Sequence, residues 1–258
     1  MNEEKFSGKA DIYKKNRPTY PGELIDYLYS DIGFSHESVV ADIGAGTGIF
    51  SKLLARRNST VICVEPNSDM LSAAKEELSA YSNCDFIHAS AECTSLAANS
   101  VDFITVAQAF HWFDRSRFKV ECRRIVKNAG KVVLVWNSRD SADELTIESW
   151  NINKRYCPDF KGFSGGMDEN PESYADFFEN GICGYKIFRN DLVYDEEGFI
   201  GRSLSSSYAP KENQPFYHEY INEMRLLFHK YCSDGSIVMR NLTRSYIGNV
   251  SHDIIAIS

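Results

Sequence analysis

The stretch that decides the fold is Val39–Leu54, which reads VVADIGAGTGIFSKLL. Its apolar beginning has the length of a buried strand, and its end has apolar residues at helical spacing. Between them lie Gly44, Gly46 and Gly48. Glycine is needed where the backbone adopts a positive φ or where a ligand must approach it closely. The order strand, glycine turn and helix therefore predicts a ligand site at a helix N-terminus, where backbone N–H groups are free.

A carboxylate follows the next apolar run. Thr60–Val64 ends at Glu65, and an acidic residue about 20 residues beyond the first glycine suits the two hydroxyls of a ribose. The loop reads G-x-G-x-G and not the dinucleotide pattern G-x-G-x-x-G, because Ile49 stands at the third glycine position. An ordinary strand–turn–helix without a ligand is the alternative interpretation.

Composition limits the class of protein. The 258 residues carry a formal net charge of −8, which disfavours nucleic acid as a partner. The seven cysteines form no C-x-x-C pair, which argues against a disulfide framework or a zinc site, so no metal is expected. The N-terminus has no apolar leader region, and no apolar run has the ~20 residues of a membrane span. We therefore expect a cytoplasmic protein with no membrane partner; its oligomeric state is not predicted.

Strand and helix patterns alternate through the first half of the chain, as in a parallel sheet covered on both faces. The predicted strands are Val39–Ile43, Thr60–Glu65, Cys84–His88, Val101–Ala107 and Lys131–Trp136. The predicted helices that follow the second and fourth strands are Asn67–Tyr81 and Asp114–Lys127. An earlier stripe of Leu24, Ile25, Leu28 and Ile32 predicts a helix that stops at Gly33.

The pattern changes after Trp136, where helices occur among the late strands. The predicted helices are Ala142–Tyr156, Pro171–Asn180, Glu196–Ser205 and Phe216–Tyr231. The predicted strands are Tyr185–Arg189, Leu192–Tyr194, Ile237–Arg240 and Ser245–Val250. We expect one α/β domain over residues 1–258, with an arm and helix (1–36), a cofactor-binding core (37–140), and C-terminal strands with a small helical cap (141–258).

Ligands of doubly wound sheets bind beyond the carboxyl ends of the strands, so the residues just after each strand are the candidates. After the second strand, Pro66 and Asn67 are placed to cover one face of a purine. After the third, Ala91 and Glu92 are placed to offer a backbone N–H and a carboxylate to an adenine edge. Glu92 is equally well explained as a solvated loop carboxylate.

The segment after the fourth strand sets an amide, an imidazole and aromatic rings together, with Gln108, His111, Trp112 and Phe113. His111 is a candidate catalytic base because the ordinary pKa of histidine is near neutrality. Trp112 and Phe113 are expected to shield it from water. A hydrogen-bonded packing role for His111 is about as plausible, since a carboxylate nucleophile needs no base.

Five segments carry a resemblance to a known family. They are ADIGAGTG, VEPN, ASAE, VDFITVAQAFHWFD and RIVKNAGKVVLVW, in this order between about Val39 and Trp136. Together they resemble class I S-adenosylmethionine-dependent methyltransferases of the type 11 group. The opening FSGKADIYKKNRPTYP and the AFHWFD segment further resemble a subgroup similar to trans-aconitate methyltransferases and related small-molecule enzymes.

The resemblance implies a Rossmann-like methyltransferase sheet, mostly parallel with its last strand antiparallel, and S-adenosyl-L-methionine as cofactor. It implies that Tyr13 and Arg17 line the cofactor or substrate pocket. Asp42 is a candidate to hold the methionyl ammonium, directly or through water, with capping of the turn as the alternative. The expected acceptor is a small molecule, with a carboxylic acid favoured, near Trp112, Trp136 and Arg139.

Three other functions are weighed against this one. An NAD(P)-dependent oxidoreductase is disfavoured by the glycine spacing and by the lack of Tyr-x-x-x-Lys after the fourth strand. A non-enzymatic cofactor-binding protein of the same fold is an alternative, because fold does not fix function. A macromolecular acceptor is disfavoured by the acidic balance of the chain.

Overall fold

The computed structural model describes residues 18–163, 171–206 and 208–250. Its strands, in chain order, are β1 (Val39–Ile43), β2 (Thr60–Val64), β3 (Cys84–Ile87), β4 (Val101–Ala107), β5 (Val126–Arg139), β6 (Gly184–Arg189), β7 (Leu192–Tyr194), β8 (Ile237–Met239) and β9 (Asn241–Gly248). Its α-helices are α1 (Gly22–Tyr27), α2 (Ile49–Ala55), α3 (Ser68–Glu77), α4 (Arg115–Ile125), α5 (Glu144–Tyr156), α6 (Glu196–Leu204) and α7 (Tyr217–Tyr231).

Seven of the strands form one sheet in the order β3-β2-β1-β4-β5-β9-β6. The first five are parallel to their neighbours, whereas β9 runs antiparallel to both β5 and β6. This confirms the predicted doubly wound, mostly parallel sheet with an antiparallel last strand. The strand order reverses between β1 and β4, which is where such sheets open a crevice for ligands.

Both faces of the sheet are covered, and successive residues of a strand enter opposite cores. In β1, Ala41 and Ile43 belong to one core cluster, and Val40 belongs to the other. The second cluster also contains Leu24 and Leu28, so the predicted N-terminal stripe packs on this face. Alternation of side chains along a strand explains why the central strands read as continuous apolar runs.

The N-terminal stripe forms α1 and a single π-helical turn, Leu28–Ile32. Gly33, with φ of 102°, ends it as predicted. The two residues proposed from the opening arm, Tyr13 and Arg17, lie outside the described residues.

Several predicted elements were wrong in extent. The last strand is Asn241–Gly248 rather than Ser245–Val250, and α3 is Ser68–Glu77 rather than Asn67–Tyr81. Helix α4 ends at Ile125 rather than Lys127, and β5 begins at Val126 rather than Lys131. The register between β4 and β5 is irregular at this start, with Val101 opposite Val126 and Phe103 opposite Lys131. A Cβ at Gly130 would lie 2.5 Å from the Asp102 carbonyl oxygen. The glycine thus belongs to a bulge in β5 rather than to the end of a helix.

The segment Pro171–Asn180, predicted as a helix, contains only the short 3₁₀ turns Pro171–Tyr174 and Glu179–Gly181. Its aromatic residues Tyr174, Phe177 and Phe178 are buried in the sheet core. These residues are spaced as on one face of a helix, but they pack into the sheet core from an irregular segment.

A third cluster forms the core of the cap, which we define as α5, α6, α7 and the two-stranded sheet of β7 and β8. The chain enters the cap at the carboxyl end of β5, returns to the main sheet for β6, enters the cap again at β7 and leaves it at β9. Helices among the late strands were predicted, and the cap confirms them. Within the described ranges, no helix is both long and apolar enough to cross a bilayer.

Candidate functional site

The three glycines of the loop after β1 all have positive φ, but they meet different surroundings. A Cβ at Gly44 would lie 2.6 Å from the Cβ of Ala109, and a Cβ at Gly48 would lie 3.0 Å from Cδ1 of Leu78. A Cβ at Gly46 would meet no protein atom within 4 Å. Gly44 and Gly48 are therefore required by packing, and Gly46 presents bare backbone to open space.

Glu65 fastens the loop from the end of β2 and is only 8% exposed. Its Oε2 accepts a hydrogen bond from the Gly46 N–H at 2.9 Å, and its Oε1 accepts one from the Asn67 N–H at 2.9 Å. These bonds hold the carboxylate beside Gly46, and a carboxylate oxygen is the kind of acceptor that ligand hydroxyls need. The predicted ribose ligand is therefore compatible with the position of Glu65 beside Gly46.

Asp42 lies inside the protein and not on the surface of the crevice, with 1% of its area exposed. Its carboxylate accepts hydrogen bonds from Ser51 Oγ at 2.5 Å and from Thr105 Oγ1 at 2.7 Å. Burial raises the pKa of the Asp42 carboxyl to about 6, and the nearby charge of Glu65 adds to the increase. Through these contacts Asp42 joins α2 to β4, a structural role different from the capping of the turn named as the alternative, and its burial argues against direct contact with an ammonium group.

The residues after β2 are held by the start of α3. Asn67 is its N-cap, and its side-chain oxygen accepts from the N–H groups of Asp69 and Met70 at 3.1 and 3.0 Å. The carbonyl of Pro66 lies 2.7 Å from His88 Nε2. Asn67 thus fixes the direction of the chain beside the loop, as an N-cap does.

The residues after β3 lie against the segment that follows β4. Ala91 is buried in the sheet core. Glu92 accepts a hydrogen bond from the N–H of Asp114 at 2.9 Å, and Asp114 in turn caps α4 through the N–H of Arg117 at 3.1 Å. Glu92 is therefore a loop carboxylate with a backbone partner rather than a purely solvated one.

Gln108 turns the chain sharply at the end of β4. Its φ is 59°, a left-handed conformation that costs about 1–2 kcal/mol for a residue with a side chain. Two hydrogen bonds to β5 hold it there, from its N–H to the carbonyl of Val135 at 2.9 Å and from its Nε2 to the carbonyl of Asn137 at 2.8 Å. Backbone strain of this kind is common at ligand sites.

The 3₁₀ turn Phe110–Trp112 has one inward and two outward side chains. Phe110 is fully buried, whereas Trp112 is 40% exposed and His111 is also exposed. The imidazole lies 4.7 Å from the Trp112 ring, between centroids. The expected shielding of His111 from water was therefore wrong within the part of the chain that the structure describes: Phe110 is the buried aromatic of this segment.

Trp136 and Arg139 lie on the part of β5 that extends beyond β4. Trp136 is 5% exposed and stacks on Tyr174 at 4.8 Å between ring centroids. Among the described residues, its indole N–H has no hydrogen-bond acceptor. Most buried polar groups are satisfied, so this one is available to a ligand or water.

Arg139 enters the cap. One guanidinium nitrogen donates to Ser149 Oγ at 2.9 Å, and the guanidinium lies 3.8 Å from the ring centroid of Phe163. Burial lowers the pKa of Arg139 to about 10. The sequence did not predict that Ser149 and Phe163 contact Arg139, because both residues follow β5 in a region without a recognisable motif.

The comparisons with known proteins agree with the geometry. A family profile described as a methyltransferase domain matches residues 41–134. An uncharacterised methyltransferase-like protein of Schizosaccharomyces pombe is 32% identical over 220 residues, which cover 84% of each chain. An uncharacterised methyltransferase of Mycobacterium tuberculosis is 36% identical over 135 residues, 52% of this chain and 53% of the relative.

Solved structures share the fold. A protein of Anaeromyxobacter dehalogenans, assigned provisionally as a type II methyltransferase, has a TM-score of 0.68 at 20% identity and covers 91% of this chain and 98% of its own. The YcgJ protein of Bacillus subtilis has a TM-score of 0.56 at 16% identity, with 90% and 100% covered. At these identities the likeness concerns the fold alone.

The residues at the loop fit the cofactor of this family. Gly46 leaves space for a ligand against the backbone, and the Glu65 carboxylate lies beside it, hydrogen-bonded to the Gly46 N–H, as an acceptor suited to ribose hydroxyls. The glycine loop, the acidic end of β2 and the strand order occur together with a relative that matches most of the chain. The chain belongs to the class I methyltransferases that use S-adenosylmethionine.

Proposed function

We propose that this enzyme methylates a carboxylate group of a small molecule. The observation that carries the proposal is Arg139, a half-buried cation with one hydrogen bond, to Ser149 Oγ. Within the described residues, no carboxylate acts on this guanidinium. A cation partly withdrawn from water is stabilised by an anionic partner, and an acidic acceptor supplies that partner in addition to the Ser149 hydroxyl.

The position of Arg139 supports this assignment. Ala107, the last residue of β4, is opposite Val135. Arg139 lies four residues further along β5, and at about 3.3 Å per residue this places it about 13 Å beyond the last pair. Its side chain reaches the beginning of the cap at Ser149. An acceptor bound between the glycine loop and the cap therefore meets this guanidinium.

The chemistry requires little beyond position. When bound, S-adenosylmethionine supplies a methyl group on a positively charged sulfur. Gly46 and Glu65 are the residues that would hold it, by close backbone approach and by acceptance from hydroxyls. A carboxylate acceptor is already ionised at neutral pH. The protein therefore contributes proximity and orientation, which reach roughly 7–11 kcal/mol in well-held pairs, and the exposed His111 has no proton to remove.

The experiment is a screen of small carboxylic acids, alcohols and amines with S-adenosylmethionine labelled in its methyl group. We expect release of S-adenosylhomocysteine with acids, and a product that mild alkali converts to labelled methanol. An ester behaves in this way, whereas an ether or an N-methyl group does not. A product stable to alkali, or turnover only with proteins or nucleic acids, would refute the proposal.

Arg139→Met is the matching variant. Loss of a hydrogen bond to a charged group costs about 1.5–3 kcal/mol, so kcat/KM for the acid should fall at least tenfold while cofactor affinity is unchanged. Arg155→Met is the control, because Arg155 lies on the same helix as Ser149 but is exposed, 3.9 Å from Glu223. Equal effects of the two variants would remove Arg139 from the acceptor site.

A further inference from the structure

We propose that Asn241 determines specificity for the acceptor: its side-chain N–H and the guanidinium of Arg139 bind the same carboxylate from two neighbouring strands. The inference rests on the proposed function and deepens it, because it adds a second donor to the acceptor site. In this arrangement Asn241 binds and orients the carboxylate and transfers no proton.

The strand register places the two side chains beside each other. Arg139, the last residue of β5, lies opposite Asn241, the first residue of β9. One step further along, the N–H of Asp140 donates to the carbonyl of Arg240 at 3.0 Å. Hydrogen-bonded and non-hydrogen-bonded pairs alternate along antiparallel strands, so Arg139 and Asn241 form a non-hydrogen-bonded pair. Side chains approach most closely in such pairs, with Cβ atoms about 4.5–5.5 Å apart.

The backbone of Asn241 is bound on its other side, toward β6. Its carbonyl accepts from the N–H of Asn190 at 2.8 Å, and its N–H donates to Asp191 Oδ1 at 3.4 Å. The residue is only 4% exposed, and its side-chain Nδ2 is buried with no hydrogen-bond partner in the described part of the chain. Since buried polar groups are nearly always hydrogen-bonded, this side-chain N–H is a donor available to a ligand.

The neighbouring pair on the same face of the sheet has the opposite arrangement. Asn137 lies opposite Thr243 and two residues before Arg139, so both pairs lie on one face. The Thr243 hydroxyl donates to Asn137 Oδ1, and Asn137 Nδ2 donates to the carbonyl of Thr19 at 3.3 Å. The polar groups of this pair are bound within the protein, whereas the next pair retains an amide donor beside a cation.

A carboxylate fits these two donors better than a neutral group does. Arg139 uses one of its N–H groups for Ser149 Oγ at 2.9 Å, and a guanidinium has five. A carboxylate has about four acceptor positions, so one bond from each residue leaves a position for the bond to the methyl carbon. A primary amide would instead bring N–H donors of its own toward these donors and bind less well.

The test compares hexanoate, benzoate and phenylacetate with their primary amides. Calorimetry in the presence of S-adenosylhomocysteine measures binding, and labelled methanol released by mild alkali measures ester formation. We expect at least one acid to bind about tenfold or more tightly than its amide. Asn241→Leu should weaken the binding of that acid about tenfold, as the loss of one hydrogen bond to a charged group does.

Asn241→Asp is the sharper variant, because it places a carboxylate opposite Arg139 with little change in size. The new carboxylate pairs with the guanidinium and repels an acid. Affinity for the acid should therefore fall about hundredfold or more, while affinity for the amide changes by less than about threefold. Thr243→Val is the matched control, because it removes a polar group from the same strand and face whose hydrogen bond is internal. It should lower the unfolding temperature and leave acid affinity within about twofold of wild type.

Thermal unfolding tests the pairing of the two side chains without any acceptor. Asn241→Asp should lower the unfolding temperature less in the wild-type background than in the Arg139→Met background, where the new charge has no cationic partner. Equal shifts in the two backgrounds would show that the side chains do not face each other and would overturn the inference. Unchanged acid affinity in a folded Asn241→Leu enzyme would overturn it as well.

The two proposals fail in different ways. Acids that give base-labile product with an unchanged KM in Asn241→Leu would keep carboxylate methylation and refute the role of Asn241. Acids whose binding depends on Asn241 but that give no ester would keep the site and refute carboxylate methylation. Neither binding nor ester formation with any of the acids would refute both.

Discussion

The glycine-loop side and the cap side of this enzyme differ in how their charged side chains are partnered. At the loop, the charges are negative, and Asp42 and Glu65 are satisfied by hydroxyl and backbone donors of the chain itself. In the cap, the charge of the half-buried Arg139 is positive, and among the described residues no carboxylate acts on it. A satisfied site is held in one geometry before its ligand arrives, whereas an unsatisfied one gains most of its stability from the ligand.

The largest expected effect comes from Gly46→Val, which places a side chain in the one open position of the loop. Cofactor binding should be abolished, because the side chain occupies the space that the ligand needs. A positive φ of 57° adds a strain of about 1–2 kcal/mol, so the variant should still unfold cooperatively at a slightly lower temperature. Calorimetric titration with S-adenosylmethionine and thermal unfolding measure the two effects.

Gly44→Val is the matched variant for this prediction. Its Cβ would lie 2.6 Å from Ala109, so it should lose stability as well as binding. Retained cofactor affinity in a folded Gly46→Val enzyme would show that the loop is not the binding site.

A medium effect is expected from pH at Asp42. Burial raises the pKa of this carboxyl from 3.8 to about 6 in the folded protein. Between these values the folded state binds a proton that the unfolded state does not, so this group makes the protein more stable as pH falls from about 6 to 4. The contribution is on the order of 1–3 kcal/mol.

Asp42→Asn should remove that pH dependence. Urea unfolding of wild type and variant at pH 4, 5, 6 and 7 tests this, with cofactor absent. The wild type should gain stability relative to Asp42→Asn as the pH is lowered. A difference between the two proteins that stays constant over this range would mean that Asp42 does not titrate there.

The smallest effect is expected from His111→Gln. The residue is exposed, and a carboxylate acceptor offers it no proton. The variant should keep kcat within about tenfold of wild type, whereas loss of a general base lowers rates by roughly 10²–10⁴. Initial rates of wild type and His111→Gln with an acid acceptor between pH 5.5 and 8.5 test whether His111 acts as a base. Absent turnover with normal cofactor affinity would make His111 a base and would argue for a hydroxyl or amine acceptor.

The sheet and the loop were predictable because their signals are local. Apolar runs give the strands, and glycines with Glu65 mark the crevice within about 20 residues. The surroundings of Arg139 were not predictable in this way. Arg139 could be named as a candidate, but Ser149 and Phe163 become its neighbours only through the folding of the cap.

The errors have physical causes of the same kind. The buried aromatics Tyr174, Phe177 and Phe178 repeat at helical spacing, yet they anchor irregular backbone. The early start of β5 depends on a bulge at Gly130 that exists only against β4. The role of Asp42 depends on Ser51 and Thr105, which a list of residues after each strand does not contain.

The extension of β5 has a consequence for how the enzyme would distinguish acceptors. From Trp136 to Arg139 this strand remains paired, residue by residue, with β9. The strand therefore holds the Arg139 guanidinium at a fixed distance from the end of β4. Moving the arginine along the strand would change that distance only in steps of about 3.3 Å per residue. An arginine on a flexible loop would accept acids of many lengths. An arginine on a strand that is paired with its neighbour selects acceptors of one length. A relative could use a longer or shorter acceptor if its arginine stood two positions away on the same face of the strand.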